Sequence, residues 1–361
     1  MSRQAPETSP RSEPPRAQRA HLAAWIESAT ARFDDAARAS GTIVRRILLA
    51  GAPVEVRYAG AALSEQLGPA LDHATDESAD EPALVVSAWD SAGSGVHAPL
   101  LPAADAAAPR GAVLYSTDGV RHVAYQPGLG QLSAYDAACR HAWFWCEDAT
   151  RLPFWEPAAP FRQILHWWLP ERGAQLLHGA AVGAETGGVL LVGRGGSGKS
   201  TCALASLTSP LLYAGDDYVA VEAASQPQVH SLYCSGKLEP GHARLLAHLP
   251  PPSFDGSEDE KAVFYVRDRF PDRMCRGFPL VAVVAPRVVA GPETRFSRVQ
   301  PARALAALAP STLLQLVPAR AEALTAMAAL LRRLPTYALE VGGPVDRIPA
   351  ALERLLREAA P

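Results

Sequence analysis

The order of apolar and polar positions divides the chain into helix-like and strand-like stretches. Residues 21–39 place Leu22, Trp25, Ile26, Ala29, Phe33 and Ala37 at helical spacing and predict an amphipathic helix. Two strand-like runs follow, 43–49 and 54–58, with Gly51-Ala52-Pro53 as the turn between them. A short helix is expected over 62–73, an acidic loop over 77–81 and a strand over 83–89. A Gly, Pro and Ala loop fills 91–110, and 112–116 with 122–125 reads as a hairpin around Asp118-Gly119, a strong turn pair. Strands this short and close predict a small β-rich α+β domain over 21–160. The Ser, Pro, Arg and Gln composition of residues 1–20 predicts a disordered tail.

Trp143, Trp145, Phe154, Trp155, Trp167 and Trp168 hold most of the aromatic mass. Such residues stack a base or a peptide, or, more commonly, fill a seam between domains. Residues 161–169 read as a helix leading into a second domain over 170–361. Its later part predicts a buried strand at 278–285 and short helices at 301–308 and 311–317, with Ser311 capping the second. A longer amphipathic helix at 319–334 and a strand at 337–341 follow. The last helix, 349–358, aligns Leu352, Leu355 and Leu356 on one face, most simply for packing against the core.

The chemistry is concentrated early in this second half. Residues 188–193 form an apolar β run ending in glycine. It continues directly into Gly193-Arg194-Gly195-Gly196-Ser197-Gly198-Lys199-Ser200, which satisfies G-x-x-x-x-G-K-[ST]. Residues 201–207 then read as a helix. Strand, glycine loop and helix together form the context of a phosphate-binding loop, in which the backbone N–H groups of Gly193, Gly195, Gly196, Ser197 and Gly198 and the helix N-terminus face an anion. Lys199 is placed to reach the β- and γ-phosphates, Ser200 to ligate Mg²⁺ and Thr201 to touch the α-phosphate, so ATP and Mg²⁺ are the expected cofactors. The expected fold class is α/β, a P-loop core preceded by the smaller β-rich domain.

Residues 211–221 read as a strand of a parallel sheet that delivers Asp216 and Asp217 beside the P-loop. One carboxylate can help hold Mg²⁺, while the other can take a proton from an attacking hydroxyl. Adjacent strand residues point opposite ways, so two roles fit better than one shared role. Upstream, 176–182 is an apolar strand with a single histidine, His178, expected to pair with 188–192 in a hairpin.

Composition sharpens one point. Of the 34 basic residues only three are lysine, Lys199, Lys237 and Lys261. Arginine is a planar fork and lysine a compact point charge, so positions that keep lysine in an arginine-rich chain are candidates for sites that reject the exchange. Lys237, after an expected strand at 229–233, and Lys261, opening a strand at 262–266, are candidate ligands for the γ-phosphate, followed by Arg267 and Arg269. Glu239 is a candidate Mg²⁺ ligand. The net charge of −3 supplies no basic field for nucleic acid or an anionic membrane. No apolar run is long enough to span a bilayer, and no secretory leader pattern is seen. Five cysteines imply no disulfide framework, and Cys139, His141 and Cys146 lack zinc-site spacing. These features predict a cytoplasmic setting.

Taken in order, the strand "LHGAAV" with His178, the loop "GRGGSGKST" and "AGDDYV" with Asp216 and Asp217 resemble the HPr kinase/phosphorylase family of P-loop serine kinases. The resemblance spans about residues 170–240 and extends more weakly to 345. It implies that Asp216 is the base activating the acceptor serine, that His178 hydrogen-bonds and tunes that acid, and that Asp217 supports the metal. It also implies homo-oligomers, since the resembled family forms hexamers. The E-x-R-G-L-G stretch of members acting on HPr is absent: residues 230–239 read HSLYCSGKLE. That stretch looks more like divergent kinases of lasso-peptide and other precursor-peptide pathways, which implies a serine on a small protein or peptide as acceptor. The N-terminal domain would then recognise substrate, for instance by adding a peptide strand to a sheet edge. A sugar or metabolite hydroxyl kinase, or a nucleotide-dependent binding module without transfer, are the alternatives.

Overall fold

The computed structural model describes residues 16–78, 80–99, 101, 112–255, 260–319 and 321–359. It is a mixed α/β structure with two large sheets. The first sheet contains β1 (Thr42–Leu49), β2 (Ala52–Ala59), β3 (Leu84–Asp90), β4 (Leu114–Thr117), β5 (Arg121–Gln126), β6 (Gln131–Asp136) and β7 (His141–Cys146), in the order β1-β2-β3-β7-β6-β5-β4. The first helix, Arg16–Ser40, covers one face, where Leu22, Trp25 and Phe33 pack with Trp89, Trp143 and Trp145. It takes up residues 16–20 of the expected tail; residues 1–15 lie outside the described residues.

The second sheet is built from β8 (Ala174–Ala184), β9 (Gly187–Val192), β10 (Leu212–Gly215), β11 (Tyr218–Glu222), β12 (Gln228–His230), β15 (Gly277–Val288), β16 (Arg295–Arg298) and β17 (Thr336–Val341). β13 (Ser235–Leu238) and β14 (Ala262–Tyr265) pair separately. β9, β15 and β17 are mutually parallel and form the centre, while β8 runs antiparallel to β9 as the expected hairpin partner. Helices Pro301–Leu313 and Ala321–Arg333 cover one face, against Leu177, Leu190 and Val283. Helices Lys199–Ala205 and Ile348–Ala359 cover the other, against Val189, Leu191 and Leu339. Burial on both faces explains why β8 and β9 read as nearly unbroken apolar runs.

Several local expectations need correction. The β1–β2 turn is Ala50-Gly51, with φ of 47° and 71°, and Pro53 lies inside β2 opposite Leu48. The helix expected over 62–73 breaks into Ala61–Leu67 and a 3-10 turn Pro69–Ala74, because Pro69 cannot donate the next helical bond. The two helices expected over 301–317 are one, Pro301–Leu313, which carries Pro310 in its last turn. Ser311 caps nothing; its hydroxyl donates back to the Leu308 carbonyl at 3.1 Å. The strand expected at 229–233 is only Gln228–His230. Half of the expected loop over 91–110 lies outside the described residues, as does Ala79 within the acidic loop, and the described part opens with a helical turn, Ser91–Ser94.

The tryptophans divide between two tasks. Trp143 and Trp145 pack under the first helix, while Trp167 and Trp168 join a core cluster that includes Val56 and Phe144 of the first sheet and Leu176 and Tyr218 of the second. Trp167 stacks on His122 at 5.3 Å and donates its indole N–H to the Val317 carbonyl at 2.7 Å. No helix among the described residues is long and apolar enough to cross a membrane.

Candidate functional site

β9 ends at Val192 and the chain enters the glycine loop, which closes into the helix Lys199–Ala205. Gly196 and Gly198 have φ of 75° and 99°, left-handed conformations that a β-carbon would strain. Cys202 N–H donates to the Gly198 carbonyl at 2.9 Å, so the helix begins at the end of the loop. Its first-turn amides have no partner within the helix and are available to an anion. The Lys199 ammonium is buried and donates to the carbonyls of Gly193 (2.8 Å) and Arg194 (3.1 Å). Burial pushes its pKa down, and the carboxylates of Asp216 and Asp217 work against that. The buried Ser197 hydroxyl has no hydrogen-bond partner.

The acid pair sits differently from expectation. Residues 211–221 do not form one strand of a parallel sheet. β10 and β11 both pair antiparallel to β8, and the ladder breaks between them at Asp216-Asp217, opposite Ala180 and Gly179. Asp217 has φ of 70°. At this break the two carboxyl groups meet different partners. Asp216, 1% exposed, accepts from the Ser200 hydroxyl at 2.9 Å and from the Lys237 backbone N–H at 3.1 Å. Asp217 accepts from the Lys237 ammonium at 2.5 Å, and His178 Nε2 lies 3.2 Å from its other oxygen.

His178 therefore touches Asp217 and not Asp216, and the Ser200 hydroxyl pairs with Asp216 and not Asp217. The neighbours implied by the family resemblance are exchanged. The reason is the break itself: the left-handed residue turns the second carboxyl back over β8, where Tyr218 is paired with His178. Burial raises the pKa of Asp217, but Lys237 and then His178 outweigh it and hold the carboxyl well below its ordinary value. The Ser200 and Asp216 oxygens beside the glycine loop are hard donors of the kind Mg²⁺ takes together with phosphate oxygens, so these residues fit that ion.

Of the remaining candidates, Thr201, Lys237, Lys261 and Glu239 line the cavity over the P-loop, about 240 Å³ in volume. Lys237, on β13, also lies 5.8 Å from the centre of the Phe154 ring. Arg267 is turned away towards Asp72, 3.7 Å distant, and Arg269 lines neither cavity of the site. A second cavity of about 420 Å³ meets the first along His178, Gly195, Asp217, Lys237 and Lys261. Its other walls include Gln126 and Gln131 of the first sheet, Phe154, Trp155 and Glu156 between the sheets, and Arg162 and Gln163 of the helix Arg162–Trp168. Sequence reading singled out Phe154 and Trp155 only as part of the aromatic group and missed the polar residues of this wall. No motif marks them, because chain segments far apart in sequence supply them. An open recess of about 810 Å³ around Arg298, Arg303, Arg332 and Arg333 shares no residue with either cavity.

No protein-family model and no curated protein matches the chain. Among solved structures, the Hpr(Ser) kinase/phosphatase from Coxiella burnetii is similar over 51% of this chain and 95% of its own, at 13% identity and a TM-score of 0.27.

Proposed function

We propose that the chain is an ATP- and Mg²⁺-dependent phosphotransferase that moves the γ-phosphoryl group onto a hydroxyl, with a serine on a small protein or precursor peptide as the acceptor that the sequence resemblance implies. The observation that carries the reading is that Asp217 stands on the wall shared by the P-loop cavity and the second cavity, while Asp216 lies beside Ser200. A module that only binds nucleotide needs no carboxylate on that wall. The walled second cavity favours a second reading, a small-molecule hydroxyl as acceptor.

In this scheme Ser200 and Asp216 hold the metal, which supplies charge neutralisation at the phosphates. Lys199 exchanges its two loop carbonyls for phosphate oxygens. Asp217 takes the proton of the acceptor hydroxyl as the new oxygen–phosphorus bond forms and the bond to the ADP oxygen breaks. In the resting site Lys237 keeps that carboxyl too acidic to be a good base. As charge gathers on the γ-phosphate, the flexible Lys237 ammonium moves towards it and releases Asp217, so a single lysine serves both partners in turn. His178 stays on Asp217 and orients it.

The test compares Asp217→Asn with Asp216→Asn, using γ-labelled ATP. Asp217→Asn lowers transfer by about 10²–10⁴-fold with ATP affinity retained. Asp216→Asn shifts the Mg²⁺ concentration needed for half-maximal rate. Undiminished transfer by Asp217→Asn removes that residue as the base.

A further inference from the structure

The second cavity carries unsatisfied polarity. Gln131, 3% exposed, has a buried carboxamide oxygen with no hydrogen-bond partner. Glu156, 2% exposed, holds its Oε2 3.3 Å from Arg162 Nη1, an ion pair that compensates this carboxylate oxygen. His178 Nδ1, on the shared wall, is buried and unpartnered like the Gln131 oxygen. An unmet buried acceptor forfeits its hydration without replacement, so such groups are rare unless something else fills the demand. Here two such side chains, Gln131 and His178, line one cavity that adjoins Asp217. Phe154 and Trp155, edge to face at 5.1 Å, add an aromatic wall.

We infer that this cavity is the acceptor site, and that Gln131 selects a hydroxyl flanked by further N–H or O–H donors. The inference rests on the phosphotransferase reading and adds what the acceptor must look like. The shared chemistry is a hydroxyl with neighbouring donors. A serine residue offers this through its backbone amides, and a free polyol through its other hydroxyls. Gln126 and Gln131 face each other across β5 and β6, so the first sheet, which holds no phosphate-binding element, supplies part of the acceptor wall. A purely apolar or donor-poor alcohol would leave the Gln131 oxygen unmet and bind weakly.

The experiment uses the full chain, γ-labelled ATP and two sets of probes: a peptide library with one serine at a fixed position, and a panel of C3–C6 polyols. Label in the peptide arm or in the polyol arm identifies the source. For the accepted probe, Gln131→Met raises KM about tenfold or more, with kcat within about threefold and ATP affinity unchanged; a merely structural role would not split the parameters this way. If neither arm takes label, release of phosphate to water is the readout. Gln126→Trp, at a half-buried position, then narrows the cavity and lowers hydrolysis at least about fivefold while ATP still binds. Acceptor KM and hydrolysis that these variants leave unchanged overturn this inference alone. A parent chain that binds ATP but neither transfers nor hydrolyses overturns the phosphotransferase reading, and this one with it.

Discussion

Replacing Lys237 with methionine keeps the side-chain length and removes the charge that holds Asp217. The ammonium is 2.5 Å from the carboxylate, and the two side chains are 8% and 14% exposed. Asp217 also faces His178 at 3.2 Å and feels the charges of Arg162 and Lys199. Burial alone would push its carboxyl up, and Lys237 is the largest opposing influence. Removing one member of a buried pair typically costs about 3–5 kcal/mol, because the other charge is left uncompensated. At roughly 2–4 °C per kcal/mol for a chain of moderate size, the melting temperature at about pH 7.5 falls by about 10 °C. The pH dependence gives the sign. In the parent, the folded carboxyl titrates well below its ordinary value, so its contribution is complete above about pH 4 and is lost only as the pH falls further. In Lys237→Met the carboxyl titrates higher, and protonation then relieves the unpaired charge. The gap between parent and variant is therefore widest near neutrality and narrows towards about pH 5. Thermal melts across this range, with the double variant Lys237→Met/Asp217→Asn closing a cycle, measure the coupling, expected at about 2 kcal/mol or more. A variant that melts within about 2 °C of the parent near pH 7.5, or a gap that does not change with pH, refutes the reasoning.

Two further outcomes follow from the same structure. Trp167→Ala removes a stack on His122 and a hydrogen bond to Val317 within the core cluster shared by the two sheets, and denaturant unfolding should show a loss of about 3–5 kcal/mol. ATP with Mg²⁺ at about 100 times its dissociation constant should stabilise the parent by roughly 2.7 kcal/mol in thermal melts, and Lys199→Ala should abolish most of that shift.

The P-loop was fully legible in the sequence, because it is local: an apolar strand, a glycine run and a helix start within twenty residues, each with its own backbone requirement. The hairpin of β8 with β9, the first helix and the last helix were legible for the same reason, since periodicity records which face is buried. The lysine count was informative too. Lys199, Lys237 and Lys261 all line the P-loop cavity, whereas Arg267 and Arg269 do not.

The partners of the two acids were not legible. Which carboxyl meets Ser200 and which meets His178 depends on a ladder break and one left-handed residue, and a run of apolar residues around two aspartates looks the same with or without that break. The second cavity was invisible for a related reason. Gln131, Glu156 and Asp217 come together only because the core cluster around Trp167 and Tyr218 draws both sheets against one another. Periodicity along the chain specifies the elements and their buried faces. Contacts between distant segments are set by how those faces fill space, and that alone decided which side chains share a wall with Asp217.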